Sequence, residues 1–378
     1  MKQLLPFVTL FLLVCNACKN TPTTDEAPAF AITKKPFGKV DNADITLYKL
    51  AHANGFSVEI MNYGAAIVSI ITPDKNGQPG DVVLGFDNLD DYVKPGNPYI
   101  GGIVGRYANR IAQAQFSLEG QTYQLAANDN GHSLHGGLRG FDKVVWSATE
   151  QRTDTSAMLT LRYTSPDGEE GYPGNLQVTV TYIVTNDYAL RIDYQAIVDK
   201  ATPVNLTNHA YFNLAAGQAL DILGHELHLN AYQYTPVDAT LIPTGELRPV
   251  TGGPMDFTTA KPIGKEIAMT AGGYDHNFVL NKQPEQELSL AATLYEPGSG
   301  RFMEMYTTEP AVQFYSGNFL NGMLRGKNDE VYTLNYGLCL EAQHYPDSPN
   351  QPNFPNTILR PGETYRQTTV YRFAVRPE

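Results

Sequence analysis

ALRIDYQAIV, at residues 189–198, is rich in Ile, Val and Tyr and is typical of a buried β-strand. The chain becomes polar soon afterwards, because NLTNHAYFNL at residues 205–214 places three asparagines and His209 among apolar side chains. A buried polar group without a hydrogen-bond partner costs about 1–3 kcal/mol. Either His209 is satisfied inside a sheet with asparagines around it, or this stretch binds a polar ligand.

Short runs of the same kind recur along the whole chain, with turn signals between them. Glycine and proline, at 33 and 25 residues, interrupt the sequence throughout, and we find no sustained helical period. The pattern predicts an all-β protein, a large antiparallel β-sandwich or barrel, with one domain over residues 37–378. The predicted strands are residues 56–60, 66–71, 82–84, 158–163, 176–184, 189–198, 226–230, 288–294, 311–314, 338–341 and 368–374.

The composition narrows the choice of partner. The 378 residues carry a net charge of −12 and include no block of Lys or Arg, so nucleic acid and anionic membrane surfaces are not expected partners. The 23 tyrosines suit a sheet protein, and their aromatic faces also suit sugar binding. We expect a monomer.

The N-terminus has the features of an export signal. Lys2 precedes an apolar run too short to span a bilayer, so residues 1–17 are predicted to be a lipoprotein-type signal peptide. Cys18 would then be acylated and anchor the protein to a bacterial membrane in the periplasm, although plain secretion or a simple membrane tether is the alternative. Residues 18–36, rich in Thr, Pro and Ala, are predicted to be a flexible linker. Cys339 would remain without a disulfide partner.

Four further stretches break the strand pattern with polar residues. They are GGIVGRYANRI at 101–111, NGHSLHGG at 130–137, GGYDHNF at 272–278 and LCLEAQHYPD at 338–347. The glycines of the first do not precede a phosphate-loop lysine, so we interpret them as a closely packed backbone that directs Asn109 and Arg110 into a cleft.

No metal site is predicted. HELH at residues 225–228 is similar to a zinc-binding helix motif, but the spacing is one residue short and the local pattern is that of a strand. Residues three apart on a strand point to opposite faces, so His225 and His228 cannot bind one ion together, and we expect both to be solvated surface histidines.

Taken together, these stretches resemble the aldose 1-epimerase (galactose mutarotase) family. The matches are GRYANRI at 105–111, LHGG at 134–137, residues 205–214, DHNF at 275–278, QFYSGN at 313–318 and LEAQ at 340–343, in the family's order. The resemblance implies a galactose mutarotase-like supersandwich with a sugar site in a cleft across one sheet. It also implies interconversion of the α and β anomers of free hexoses such as glucose and galactose.

The resemblance assigns roles to particular residues. Glu341 matches the general base and His209 the general acid, while His135 matches a second active-site histidine that assists near the ring oxygen. The matches to sugar-hydroxyl ligands are Asn109, Arg110, Asp275 and Gln313. Opening a cyclic hemiacetal needs one base and one acid, so no cofactor is required. A bound calcium ion is conceivable but is not predicted.

Each assignment has a structural alternative. Glu341 could be an ion-paired core residue, Arg110 a salt-bridge partner and His135 a turn residue, and Cys339 is better explained by packing than by nucleophilic chemistry. For catalysis His209 has to be protonated when sugar binds, and we expect a neighbouring carboxylate to favour that form.

The alternative functions are a non-catalytic carbohydrate-binding protein and a glycoside hydrolase on the same fold. The former would not need an acid–base pair, and the latter would use two carboxylates rather than two histidines. A sugar-phosphate epimerase would need additional Lys and Arg residues near the matched stretches, and we find no such cluster there.

Overall fold

The computed structural model describes residue 1, residues 29–283 and residues 287–376. Most of the predicted signal peptide, Cys18 and the first part of the predicted linker therefore lie outside the described residues. Within them, no helix is both long enough and apolar enough to cross a membrane.

Strands dominate the described chain. The strands of its first half are β1 (Phe30–Val40), β2 (Ala43–His52), β3 (Ser57–Met61), β4 (Ile67–Pro73), β5 (Pro79–Asp81), β6 (Ile103–Val104), β7 (Arg110–Ile111), β8 (Gln115–Leu118), β9 (Gln121–Gln124), β10 (Ser133–Leu134), β11 (Ser147–Arg152), β12 (Ser156–Ser165), β13 (Leu176–Thr185) and β14 (Ala189–Val198). The strands of its second half are β15 (Thr202–Pro203), β16 (Thr207–Asn208), β17 (Tyr211–Phe212), β18 (Glu226–Leu229), β19 (Ala231–Thr235), β20 (Arg248–Pro249), β21 (Lys261–Pro262), β22 (Asp275–Leu280), β23 (Ser289–Glu296), β24 (Arg301–Thr307), β25 (Ala311–Tyr315), β26 (Leu324–Arg325), β27 (Val331–Tyr332), β28 (Leu338–Gln343), β29 (Ile358–Leu359) and β30 (Tyr365–Val375).

Helical segments are short. One α-helix, α1 (Leu89–Val93), is capped by the Asn88 side chain, which accepts from the Asp91 backbone N–H. The 3₁₀ turns are Ala112–Ala114, Phe141–Lys143, Glu169–Gly171, Ile263–Lys265, Ile267–Met269, Lys327–Asp329 and Ser348–Asn350.

The largest sheet has nine strands in the order β11-β12-β13-β14-β30-β24-β23-β18-β21. All of its pairings are antiparallel, and the C-terminal strand β30 lies between β14 and β24. The strand first recognised in the sequence, β14, thus lies inside this sheet, and its side chains alternate between buried and more exposed positions. The predicted all-β antiparallel fold is confirmed.

A six-stranded sheet, in the order β17-β28-β25-β22-β19-β20, packs against the nine-stranded one. Leu340 of β28 and Tyr371 of β30 belong to the same buried apolar cluster, and the Tyr371 hydroxyl donates to the Leu340 carbonyl oxygen over 3.1 Å. Because side chains alternate along a strand, Leu338, Leu340 and Ala342 face this core. Cys339, Glu341 and Gln343 therefore face the opposite side of the six-stranded sheet.

The start of the domain differs from the sequence prediction. A third sheet, β1-β2-β3-β4-β5, begins at Phe30, inside the stretch predicted to be a flexible linker. Phe30 pairs with His52 across the β1–β2 ladder and buries its ring in the main apolar cluster. A buried aromatic ring and a continuous antiparallel ladder hold residues 30–36 in the domain, so the boundary at residue 37 was placed too late.

Candidate active site

Glu341 lies on β28, the second strand of the six-stranded sheet, on the face that points away from the sandwich core. It is opposite Gln313 of β25, which in turn is opposite Asn277 of β22. Its side chain is only 2 % exposed. Among the described residues, Glu341 Oε2 has no hydrogen-bond partner. A buried carboxylate oxygen without a partner is costly in a purely structural role, which favours a ligand-binding role.

His209 follows β16 and is held by its backbone. Its N–H donates to the Gly102 carbonyl over 2.9 Å, and its carbonyl accepts from the Gly101 N–H over 3.0 Å. The ring nitrogen Nδ1 lies 3.5 Å from Cys339 Sγ, while Nε2 lies 3.8 Å from Glu341 Oε2. His209 therefore presents Nε2 to the carboxylate, and the two side chains predicted to be acid and base are adjacent.

His135 comes to the same point from the loop after β10. Its backbone has a φ of 50°, a left-handed conformation that non-glycine residues adopt infrequently, and its N–H donates to the Asn109 carbonyl over 3.0 Å. The His135 and His209 rings meet edge to face with centroids 5.2 Å apart. Tyr99 packs against both imidazoles, with its ring centroid 4.6 Å from that of His135 and 5.7 Å from that of His209.

The polar residues of the first loop enter the same region because the preceding backbone is closely packed. A Cβ on Gly105 would lie 2.2 Å from the Phe141 ring, so only glycine fits there. Arg110 Nε donates to Asp129 Oδ2 over 2.8 Å, and Arg110 Nη1 lies 4.0 Å from Asp275 Oδ2. The interpretation of a close backbone approach agrees with this packing.

Asp275 and Gln313 complete the polar wall. Gln313 Nε2 donates to Asp275 Oδ1 over 2.7 Å, while Gln313 Oε1 has no partner among the described residues. Asn109 Oδ1 accepts from Arg110 Nη1 over 3.4 Å. All seven residues predicted for the site thus lie close together. Each of them either contacts another of the seven or lies opposite one on a neighbouring strand.

A cavity of about 80 Å³ opens onto six of these seven residues, and Gln313 lies behind its wall beside Asp275. A larger cavity of about 830 Å³ adjoins it, and the two share Asp275 and Phe319 in their walls. The small cavity is lined by Pro98, Tyr99, Asn109, Arg110, Leu134, His135, His209, Tyr211, Asp275, Tyr315, Phe319 and Glu341.

Burial sets the protonation of the site. It raises the pKa of Glu341 well above the usual carboxyl value, with the negative charge of Asp275 adding to the rise and Arg110 opposing it. Burial also lowers the pKa of His209 to about 4, and it lowers the pKa of His135 well below 6.5. The expectation that a neighbouring carboxylate would keep His209 protonated therefore fails for the sugar-free site, because the loss of hydration dominates and burial also favours the neutral form of Glu341.

The other two histidines of the sequence analysis are separate from this site. Leu227 and Leu229 of β18 are buried while Glu226 and His228 are less so, which agrees with the predicted strand alternation. His225, however, is buried, and its Nε2 accepts from the Leu214 N–H over 3.0 Å. The prediction of a solvated surface residue was wrong for His225, because its ring satisfies the Leu214 backbone amide.

Several wall residues were missed by the sequence reasoning. Tyr99, Tyr315 and Phe319 line the cavity, and Asp129 is the ion-pair partner of Arg110. Tyr315 could have been found, since it lies two residues after Gln313 on the same strand and so shares its face. Tyr99 and Asp129 are in loops, where sequence spacing gives no such direction.

Comparison with known proteins agrees with this geometry. The model of the aldose 1-epimerase family matches residues 46–372. The chain belongs to the aldose 1-epimerase family. It is 45% identical to the galactose mutarotase of Homo sapiens over 347 residues, covering 91% of this chain and 99% of that protein. It is 38% identical to the aldose 1-epimerase of Escherichia coli K12 over 356 residues, covering 92% of this chain and 99% of that protein.

A solved structure extends the family likeness to the fold. The crystal structure of an aldose epimerase homologue from C. elegans superposes with a TM-score of 0.81 at 31% identity, covering 88% of this chain and 99% of that one. The predicted supersandwich is therefore confirmed. The relatives in the aldose 1-epimerase family are named as mutarotases and epimerases, which supports the main functional prediction over a carbohydrate-binding protein or a hydrolase.

Proposed function

We propose that this protein is an aldose 1-epimerase that interconverts the α and β anomers of free hexoses such as glucose and galactose. The observation that carries the proposal is the pair of Glu341 Oε2 and His209 Nε2, 3.8 Å apart in a buried pocket of a chain that belongs to this family. One carboxyl group and one imidazole can bracket the C1 hydroxyl and the ring oxygen of a single sugar.

The reaction moves two protons and breaks one C–O bond. Glu341 removes the proton of the C1 hydroxyl while His209 gives a proton to the ring oxygen, so the hemiacetal opens to an aldehyde. Rotation about C1–C2 presents the other carbonyl face, and the ring oxygen closes on it. The two groups then exchange roles, so the starting protonation is restored. His135 assists near the ring oxygen.

The pair needs one proton in total. In the sugar-free site burial favours a neutral Glu341 and a neutral His209. A C1 hydroxyl that donates to Glu341 stabilises its ionised form, and a ring oxygen that accepts from His209 stabilises the protonated ring. Sugar binding therefore favours the charge distribution that the chemistry requires, without taking up or releasing a proton.

The remaining polar residues hold the sugar. Arg110 offers donors on a planar guanidinium, and Asp275 offers acceptors for hydroxyl groups. Asn109 and Gln313 can donate and accept through their amides. Fixing the ring in this way places C1 beside Glu341, and such positioning can account for a large part of a rate enhancement.

Polarimetry tests the proposal directly. Freshly dissolved α-D-glucose and α-D-galactose should mutarotate faster in the presence of the protein. Glu341→Gln and His209→Asn should each lower kcat by about 10²–10⁴-fold, the usual contribution of a positioned proton-transfer group. Circular dichroism would establish that both variants fold. Full activity in both variants would refute the assigned roles.

The chemistry as written uses no cofactor. We therefore propose that activity survives dialysis against a chelator. A loss of activity restored by adding back one cation would contradict this.

We further propose that the protein is exported to the periplasm as a lipid-anchored monomer, with the anchor at Cys18. The support is the apolar run after Lys2 and the position of Cys18 at its end. Labelling cells with a radioactive fatty acid should mark the wild-type protein and not a Cys18→Ala variant. Equal labelling of both, or of neither, would exclude the anchor, and light scattering would report the oligomeric state.

A further inference from the structure

We propose that His135, His209 and Glu341 also form an inhibitory binding site for a zinc-class divalent ion. Each of these side chains offers one ligand atom, and the three atoms lie within 4.8 Å of one another. All three residues are buried. Two imidazoles and one carboxylate are a ligand set that zinc uses in open sites, where three protein ligands leave a fourth position free.

An ion needs lone pairs on the imidazole nitrogens and the carboxyl oxygen that do not already accept hydrogen bonds from the protein. His135 Nδ1 and Glu341 Oε2 have no hydrogen-bond partner among the described residues. His209 contacts Cys339 Sγ through Nδ1, so a proton on Nδ1 directed at that sulfur leaves the Nε2 lone pair facing Glu341. The carboxyl oxygen of Glu341 and the Nε2 lone pair of His209 are therefore available to an ion, and a ring nitrogen of His135 lies within 4.8 Å of the ligand atoms of both.

The distances require only a small contraction. Ligand atoms at ordinary zinc bond lengths are about 3.4 Å apart in a tetrahedron. Glu341 Oε2 and His209 Nε2 are already 3.8 Å apart. Glu341 lies on a sheet strand, whereas His135 comes from a loop, so we expect His135 to make the larger adjustment. The cavity that opens onto all three residues gives the ion a path and leaves room for water at the fourth position.

The donor types select the class of ion. Imidazole nitrogen suits Zn²⁺, Co²⁺, Ni²⁺ and Cu²⁺, whereas Mg²⁺ and Ca²⁺ prefer oxygen ligands. An ion held here would occupy the space between the base and the acid. It would therefore compete with the sugar for the same groups and inhibit the enzyme reversibly.

Cobalt binding to the sugar-free full-length protein tests the site without relying on activity. We expect Co²⁺ to produce the visible absorption of a four-coordinate ion, and D-galactose and Zn²⁺ to remove it. Glu341→Gln and His135→Asn should each weaken Co²⁺ binding at least tenfold. Asparagine is chosen at position 135 because it tolerates the left-handed backbone found there, at a φ of 50°.

His132→Asn is the matched control. His132 lies in the same loop as His135, but both of its ring nitrogens form hydrogen bonds away from the site, with the Gln113 N–H and the Thr240 hydroxyl. The control variant should bind Co²⁺ as the wild type does. In the wild-type enzyme, micromolar Zn²⁺ should slow mutarotation, and raised sugar or added EDTA should restore the rate. This second arm depends on the proposed epimerase activity, whereas the Co²⁺ spectrum does not.

The proposal is overturned if Co²⁺ gives no such absorption, or if the Glu341 and His135 variants bind it as tightly as the His132 variant. Inhibition by Zn²⁺ that does not decrease as sugar is raised would also overturn it, because the ion would then be bound elsewhere.

Discussion

Glu341 Oε2 and His209 Nε2 are 3.8 Å apart, although Glu341 lies on β28 and His209 lies just after β16, more than a hundred residues earlier in the chain. Cys339, two residues before Glu341 and on the same face, contacts the other nitrogen of the same imidazole. One face of β28 thus positions the Glu341 carboxyl group and, through Cys339, orients the His209 ring. The predictions below concern the charge, support and surroundings of this pair.

The first prediction concerns the pH profile. The working pair carries one proton, so activity should fall when a second proton binds and when the only proton is lost. We expect kcat/KM to decline below about pH 4, where His209 becomes protonated, and to decline again on a high-pH limb set by the raised pKa of Glu341. These limbs belong to the coupled pair rather than to either residue alone.

Polarimetric initial rates between about pH 3 and 9 would measure this profile, with circular dichroism at each pH as the check on folding. An acid limb near pH 6.5 in a protein that is still folded would show that His209 is not desolvated as described.

The second prediction concerns the charges around Glu341. Asp275 raises the pKa of Glu341 and Arg110 lowers it. Asp275→Asn should therefore move the high-pH limb of kcat/KM to lower pH, and Arg110→Gln should move it to higher pH. Both variants should also raise KM, since each removes a charged group that faces the sugar. Shifts of the high-pH limb in the same direction in both variants would refute the electrostatic account.

The third prediction concerns Cys339. Burial raises the pKa of the Cys339 thiol well above its usual value, so the thiol stays neutral and is a poor nucleophile. Cys339→Ala should lower kcat by less than about tenfold, through looser orientation of the His209 ring, because a buried neutral thiol acts mainly as a small packing group. Iodoacetamide should leave the folded wild type active. Rapid inactivation by this reagent, absent in the Cys339→Ala variant, would argue for a reactive thiol.

The fourth prediction concerns stability and His225. Burial lowers the pKa of His225 to about 4, whereas an exposed histidine in the unfolded chain titrates near 6.5. Between these values the unfolded chain binds more protons, so stability rises with pH. For this residue the free energy of unfolding should be about 2 kcal/mol lower at about pH 5 than at about pH 7.5.

Urea unfolding of the wild type and of His225→Gln at both pH values would measure this effect. Glutamine can still accept from the Leu214 N–H but does not titrate, so its variant should lose that part of the pH dependence. His228→Gln, at a less buried position, serves as the control. Identical pH dependence in the wild type and the His225 variant would contradict the assigned burial.

The sequence determined the strand-rich architecture and most of the site. Alternating apolar residues such as Leu338, Leu340 and Ala342 have to face a core, and this alone directs Glu341 to the other face of its strand. The polar residues that interrupt apolar strands, His209 among them, mark positions whose burial demands a partner or a ligand. Both signals are local, so they can be found without coordinates.

Only the tertiary structure decided the protonation of the site and its walls. The neutral state of His209 comes from desolvation by residues distant in the chain, and local sequence pointed instead to a charged ring beside a carboxylate. Phe30 joins the domain because it reaches a core built by later strands. The ion pair between Asp129 and Arg110 depends on the course of a loop, and the spacing of residues along the sequence does not predict that course. Burial and electrostatics sum over all neighbours in space, and those neighbours are set only when the chain has folded.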